Sequence, residues 1–203
     1  MAAERRARLG VTALLILVGV ALTVYAVDQV SKHFVVTTLA EGETVQVLGD
    51  VLHWQFVRNP GAAFSFASGM TWVFTILAAG VITFIIWFAR RIRSVAWALV
   101  FGLLLGGVLG NLTDRLFREP GFGIGHVIDF ISTPWMLPAI YNVADIAIVS
   151  SMILFMILTI RGIGLDGSRP VREGEAAEAP RPDGEPRRTA RGGGAPAELA
   201  HES

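Results

Sequence analysis

Three carboxylates and two amides lie where apolar segments of this chain end, and they could do chemistry together. Asn111 precedes Asp114 by three residues, and Asn142 precedes Asp145 by the same spacing. Residues three apart share one face of a helix, so each amide should lie beside its carboxylate. The third carboxylate, Asp129, lies between the two pairs within the apolar run HVIDFI. Because hydrocarbon does not solvate charge, acidic residues in such surroundings predict a functional site.

Two carboxylates held together in a poorly solvated site share a proton, because both cannot stay ionised. Such a pair activates water: one carboxylate takes the proton while its protonated partner polarises a carbonyl group. Serine chemistry is less favoured, since there is no GxSxG motif and the neighbours Ser31 and Lys32 face different sides of a helix. The alternative is a set of structural pairs, such as Asp28 with Lys32 or Asp114 with Arg115. The spacing alone does not select the two reacting acids.

The composition indicates a membrane protein. The 203 residues are 53% hydrophobic and 17% charged, which is too apolar for an ordinary soluble domain. The 17 basic residues balance the 17 acidic ones, so no nucleic-acid partner is expected. There is no cysteine and no HExxH motif, which argues against disulfides, thiolate chemistry and a zinc protease.

Four apolar segments are long enough to cross a bilayer as helices. These spans are predicted at about residues 9–27, 70–89, 94–114 and 139–160. In the third, Gly102, Gly106 and Gly110 recur every four residues, a spacing that lets helix backbones approach closely. Arginines near the span ends predict that both termini are cytoplasmic.

The hydrophobic period changes from helix to strand between the first two spans. Leu52, Trp54 and Phe56 alternate with polar residues after a Gly49–Asp50 turn. This pattern predicts a β-hairpin within about residues 43–66, outside the bilayer.

The last part of the chain, residues 162–203, has almost no large apolar side chain and is predicted to be a disordered cytoplasmic tail. The predicted fold is therefore an all-α membrane protein. It has four transmembrane helices in a domain of residues 1–161, with a small extracytoplasmic β-hairpin and the tail.

The helix lengths predict that the polar residues converge. At about 1.5 Å per residue, Asp28, Asn111 and Asp145 lie roughly 24–30 Å from the opposite ends of their own spans. The hydrocarbon core of a bilayer is about 30 Å thick, so all three reach the same depth, near the outer face.

Five short blocks of the sequence, in order, resemble the motifs of lipoprotein signal peptidase, the type II signal peptidase of bacteria. The blocks are Asp28–Lys32, Asn59–Ser65, Gly106–Arg115, Gly125–Phe130 and Asn142–Asp145. Each block alone is a weak signal, but the ordered set is specific and covers roughly residues 9–160.

The resemblance implies an intramembrane aspartic endopeptidase that removes signal peptides from prolipoproteins, cutting before a diacylglyceryl-modified cysteine. It implies that Asp129 and Asp145 form the catalytic pair, without a metal or other cofactor. Residues expected to bind the peptide or orient the pair are Asn59, Gly61, Asn111, Arg115 and Asn142. Residues expected to give structural support are Asp28, Lys32 and Asp114.

The expected partners are prolipoprotein signal peptides with a lipid-modified cysteine and membrane lipids, with no nucleic acid. We expect a monomer in the bacterial cytoplasmic membrane, with the site near the extracytoplasmic face. One alternative is a proton-coupled transporter or channel that uses the acids as a relay. The inner halves of the spans carry no acid or lysine, which disfavours a relay. A noncatalytic scaffold would explain the glycine spacing but not the repeated Asn-x-x-Asp pairs.

Overall fold

The computed structural model describes residues 2–61 and 71–168, and these contain four long helices. The helices are α1 (Ala2–Thr38), α2 (Thr71–Phe88), α3 (Val95–Phe117) and α4 (Val143–Ile160). A short 3-10 turn, Ala89–Arg91, follows α2. All four are long and apolar enough to cross a membrane, as the sequence predicted. The first helix extends beyond residues 9–27 in both directions, and α4 begins at Val143 rather than near residue 139.

One antiparallel sheet of four strands lies beside the helices. Its strands, in spatial as well as chain order, are β1 (Thr44–Leu48), β2 (Leu52–Asn59), β3 (Val127–Thr133) and β4 (Leu137–Tyr141). The predicted hairpin corresponds to β1 and β2, in which Val45 pairs with Trp54. The second pair of strands was not predicted, and a strictly all-α assignment is not confirmed. The part of the predicted β region after Gly61 lies outside the described residues.

The sheet is attached to the helices through a small apolar cluster. Phe56 of β2 and Ile128 and Phe130 of β3 pack with Val35, near the end of α1. The polar side chains of the sheet described below are thereby fixed against the helices.

The third helix, α3, is the centre of the helical part and packs against α1, α2 and α4. A Cβ atom added at Gly106 would lie 2.7 Å from the Ala21 carbonyl oxygen of α1. One added at Gly107 would lie 2.6 Å from the Ala144 carbonyl oxygen of α4. Glycine is therefore required at both contacts, in agreement with the predicted close approach of backbones.

The chain after α4 folds back against the start of α3. The indole Nε1 of Trp97 donates to the Ile163 carbonyl oxygen at 2.9 Å. The Leu165 carbonyl oxygen accepts from the backbone N–H groups of Arg93 and Ser94, both at 3.0 Å. Two residues of the predicted tail, Ile163 and Leu165, are therefore hydrogen-bonded to the start of α3. The predicted tail beyond Ser168 lies outside the described residues.

Candidate active site

Asn142 connects the two candidate catalytic carboxylates. It is the N-cap of α4, where its side-chain oxygen accepts from the Asp145 backbone N–H at 3.0 Å. In return Oδ2 of Asp145 accepts from the Asn142 backbone N–H at 3.2 Å, which completes a capping box. The Nδ2 group of Asn142 donates to Oδ1 of Asp129 at 2.6 Å. One buried amide thus fixes Asp129 of the sheet beside Asp145 of the helix.

Asp129 lies in the middle of β3 and is 3% exposed. Its Oδ2 atom accepts a second hydrogen bond, from Nδ2 of Asn59 at 2.7 Å. The pKa of Asp129 is raised from 3.8 to about 6, mainly by loss of hydration on burial and in smaller part by the negative charge of Asp145. The hydrogen bonds from Asn59 and Asn142 act in the opposite direction. Burial prevails, so this carboxyl group is suited to hold a proton.

Asp145 lies in the first turn of α4 and accepts N–H donors on both oxygens. Besides the capping bond on Oδ2, its Oδ1 atom accepts from Nδ2 of Asn111 at 2.8 Å. Asp145 thus lies half-buried at a helix N-terminus, whereas Asp129 is buried within a strand. The two carboxyl groups therefore lie in different environments, as a proton-sharing pair requires.

A fully buried ion cluster lies behind this pair. The Nζ atom of Lys32 contacts Oδ2 of Asp28 and Oδ2 of Asp114, each at 2.8 Å, and all three side chains are 0% exposed. Lys32 also donates to Oδ1 of Asn111 at 3.0 Å. An ammonium group can only donate, so this contact turns the amide and directs Nδ2 of Asn111 towards Asp145.

The same cluster joins the elements of the fold. Oδ1 of Asp28 accepts from the backbone N–H of Ala144 in α4 at 2.9 Å. Oδ2 of Asp114 accepts from the backbone N–H of Ile128 in β3 at 3.2 Å. The predicted support residues thus connect α1, α3, α4 and the sheet.

Two members of this cluster were not identified from the sequence. Arg118 donates to Oδ1 of Asp114 at 2.6 Å, one turn further along α3. The predicted alternative partner, Arg115, instead donates to the Asn111 carbonyl oxygen at 3.2 Å, so that pairing is wrong. Gln29 donates to Oδ2 of Asp28 and to the Gly110 carbonyl oxygen, both at 3.1 Å. The four-residue spacing of Asp114 and Arg118 was the available signal for the first of these.

The turn after β2 places two further predicted residues. The backbone N–H of Gly61 donates to the side-chain oxygen of Asn59 at 2.9 Å, which orients the Asn59 amide group towards Asp129. Gly61 has a φ of 101° and lies against the ring of Phe74, so a side chain there would be strained and crowded. Arg115 also lies beside Phe74, with its guanidinium carbon 5.7 Å from the ring centre.

The described residues contain no group of three acidic or histidine side chains placed to hold a metal ion. The arrangement consists of one buried and one half-buried carboxyl group, three amides that orient them and a neutralised ion cluster. Chemically, it can position and activate water beside a peptide carbonyl group.

Residues 20–161 match the family model of signal peptidase (SPase) II. The chain belongs to the signal peptidase II family. This family cleaves signal peptides from prolipoproteins, so the peptidase hypothesis is confirmed over the transporter alternative.

Relatives within the signal peptidase II family include the lipoprotein signal peptidase of Leifsonia xyli subsp. xyli, which is 59% identical over 184 residues. That alignment covers 91% of this chain and 85% of the relative. The lipoprotein signal peptidase of Mycobacterium avium is 47% identical over 151 residues, covering 74% of this chain and 82% of the relative.

Solved structures also resemble this signal peptidase II. One, a bacterial membrane enzyme determined by the in meso method at 2.3 Å resolution, matches with a TM-score of 0.63 and 28% identity. The match covers 79% of this chain and 94% of the solved one. The fold described above is therefore similar to that of a known bacterial membrane enzyme.

Proposed function

We propose that Asp129 and Asp145 are the catalytic pair of this signal peptidase II. The reaction is hydrolysis of the peptide bond before the diacylglyceryl-modified cysteine of a prolipoprotein. The observation that carries the assignment is the hydrogen bonding of both carboxyl groups to the single residue Asn142. Asp114, the other acid considered, forms ion pairs with Lys32 and Arg118 instead of a hydrogen bond with Asn142.

The different surroundings of the two acids assign their roles. Asp129, with its raised pKa, is the protonated partner and donates its proton towards the scissile carbonyl oxygen. Asp145 accepts a proton from the attacking water, whose oxygen bonds to the carbonyl carbon and forms a tetrahedral diol. Asp145 then passes this proton to the amide nitrogen as the C–N bond breaks. Asp129 recovers its own proton from the diol hydroxyl when the new carboxyl group forms.

The residues around the pair suit binding of an extended peptide. Arg115 has a buried Nε atom without a hydrogen-bond partner among the described residues, and a peptide carbonyl oxygen would satisfy it. The Asn59 turn lies at the end of β2, so a peptide bound along the sheet would pass beside it. We infer that the turn clamps the substrate, by strand addition to the sheet. Unchanged cleavage and unchanged binding in Asn59→Ala would exclude the clamp.

The proposed setting is the bacterial cytoplasmic membrane. Both termini are cytoplasmic, the site lies near the extracytoplasmic face, and the chain acts as a monomer among membrane lipids. Arginines at one set of helix ends support this orientation. The shared depth of Asp28, Asn111 and Asp145 supports the position of the site.

The test is cleavage of a diacylglyceryl-modified prolipoprotein peptide in detergent micelles by matched amounts of folded protein. Asp129→Asn and Asp145→Asn should each abolish cleavage, since each removes an ionisable group without changing its size. Asp114→Asn, the matched control, should retain part of the activity. A dead Asp114→Asn together with an active Asp129→Asn would refute the assigned pair while leaving the family activity intact.

A further inference from the structure

The segment between α3 and β3 exposes several large apolar side chains. Phe117, at the end of α3, is 77% exposed, Phe122 is 80% exposed and Ile124 is 44% exposed. We call residues 117–124 the α3–β3 loop. None of these three side chains takes part in the proposed reaction. Large apolar side chains exposed together in this way mark a contact with another protein or with a membrane.

The charged side chains of the α3–β3 loop are paired with other elements of the fold. Arg118 donates to Asp114 of α3 at 2.6 Å, and Glu119 accepts from Arg58 of β2 at 3.1 Å. The remaining residues of the loop are aromatic, aliphatic, proline or glycine. The charges are therefore directed towards α3 and the sheet, and the surface around Phe122 is uncharged.

A hydrogen bond to α2 fixes the depth of the α3–β3 loop. The Gly123 carbonyl oxygen accepts from Oγ1 of Thr75 at 2.7 Å. Thr75 lies four residues, about 6 Å, inside the start of α2 at Thr71. Since α2 is long and apolar enough to cross a membrane, the loop lies beside the end of a span. Trp72, in the same turn of α2, is 52% exposed, and tryptophan is typical of the boundary between membrane and water.

The backbone of the α3–β3 loop is suited to a place with little water. The backbone N–H of Ile124 donates to the Gly121 carbonyl oxygen at 3.2 Å. That of His126 donates to the Glu119 carbonyl oxygen at 2.9 Å. Irregular backbone does not face lipid in the hydrocarbon core, because its polar groups would lack partners there. At the boundary of headgroups and acyl chains, however, an apolar surface is buried by about 5–10 Å.

We propose that the α3–β3 loop inserts Phe122 and Ile124 into the outer leaflet of the bilayer, at this boundary, and that Thr75 holds it at that depth. The inserted surface continues the lipid-facing side of α2, from which Thr75 reaches the loop. The next element is β3, which carries Asp129, so the insertion holds the start of this strand at the membrane face. This inference rests on the proposed setting in the membrane and not on the assigned catalytic pair.

The first test compares the two sides of the α3–β3 loop by spin labelling. The chain has no cysteine, so Phe122→Cys and Glu119→Cys each create a single site for a nitroxide label. Glu119 is the matched control, because its side chain is 84% exposed but is paired with the sheet. Each labelled protein is placed in lipid nanodiscs at one copy per disc. The accessibility of the label to dissolved oxygen, which concentrates in lipid, is compared with its accessibility to a water-soluble nickel complex.

The ratio of oxygen to nickel accessibility should be severalfold higher at Phe122 than at Glu119. Equal ratios would place the loop in water and overturn the inference. Low accessibility of Phe122 to both reagents would mean that protein covers the loop, which overturns it as well. The measurement is repeated with a diacylglyceryl-modified peptide added. A high ratio that appears only with the peptide would assign the loop to the lipid of the substrate and overturn its assignment to the bilayer.

The second test removes the hydrogen bond between α2 and the α3–β3 loop. Thr75→Val keeps the shape of the side chain, and Thr83→Val is the matched control on the same helix. Both threonines donate to the carbonyl oxygen four residues earlier, Thr75 at 3.3 Å and Thr83 at 2.8 Å, so they differ in the contact with Gly123.

In the protein labelled at Phe122, Thr75→Val should lower the ratio of oxygen to nickel accessibility, whereas Thr83→Val should leave it unchanged. Equal effects of the two variants would overturn the role of Thr75 in setting the depth. Neither test measures cleavage, so a failure of the proposed function would appear in the peptide assay and leave these results unaffected.

Discussion

Replacing Lys32 by methionine should be among the most destabilising single changes in the helical part of this protein. Methionine keeps most of the side-chain length but removes the charge that lies between Asp28 and Asp114. Both contacts are 2.8 Å long, and no side chain in this triad is exposed to water. With Arg118 included, the cluster changes from two positive and two negative charges to a net charge of −1. Leaving a buried charge without its partner costs about 3–5 kcal/mol.

A second variant separates charge balance from packing. Adding Asp28→Asn to Lys32→Met restores neutrality, since only the pair of Asp114 and Arg118 remains charged. We expect the double variant to be more stable than Lys32→Met alone, a non-additive result that a double-mutant cycle detects. Glu119→Gln is the exposed control. It removes the 3.1 Å contact with Arg58 at a side chain that is 84% exposed, and it should cost no more than about 1 kcal/mol.

The assay is unfolding in detergent micelles, followed by tryptophan fluorescence and by loss of helical circular dichroism. A loss below about 1 kcal/mol in Lys32→Met would refute the reasoning, because the cluster would then behave like a surface ion pair. A double variant less stable than Lys32→Met would refute the role of charge balance and assign the loss to packing.

Four further outcomes are expected. Cleavage efficiency, kcat/KM, should fall as the pH rises through the pKa of Asp129, about 6, because ionisation removes the proton that it donates. The hydrogen bond from Asn59 favours the ionised form, so Asn59→Ala should move this decline to higher pH, and an unmoved pH profile would contradict the assignment. Gly106→Ala should cost about 1–3 kcal/mol in unfolding assays, whereas Gly80→Ala, with no atom within 4 Å of the added Cβ, should cost nothing. A chain that ends after Ser168 should retain wild-type turnover in the peptide assay, and a loss of turnover would assign a role to the removed residues.

The helices could be predicted from the sequence because each is a long apolar run, and residue counts convert directly into length along a helix. This conversion predicted that Asp28, Asn111 and Asp145 lie at one depth in the membrane. In the structure the three residues belong to one connected set of contacts. Strand β3 has no comparable signal in the sequence. Six of its seven residues are buried, so the alternation of polar and apolar residues that identifies a half-exposed strand is missing. Strand β4 contains Pro138, which is disfavoured inside strands and occurs on edge strands such as this one.

The candidate site was predictable as a set of residues but not as a set of contacts. Spacing predicted the pair of Asp28 and Lys32, which the structure contains. The contact of Lys32 with Asp114 joins two helices, and no spacing along the chain encodes it. The central position of Asn142 likewise depends on the approach of β3 to the start of α4, which requires the unpredicted strands.

Asp145, one of the two proposed catalytic residues, is also part of the capping box that connects β4 to α4. Asp145 holds the Asn142 backbone N–H with the same carboxylate that accepts a proton in the proposed reaction. A negative charge near a helix N-terminus is worth about 0.3–1 kcal/mol, and protonation removes it. Each turnover would therefore loosen the connection between β4 and α4 while the intermediate exists and tighten it again when the amine leaves. The connection between β4 and α4 would thus loosen once in each reaction cycle, when Asp145 is protonated.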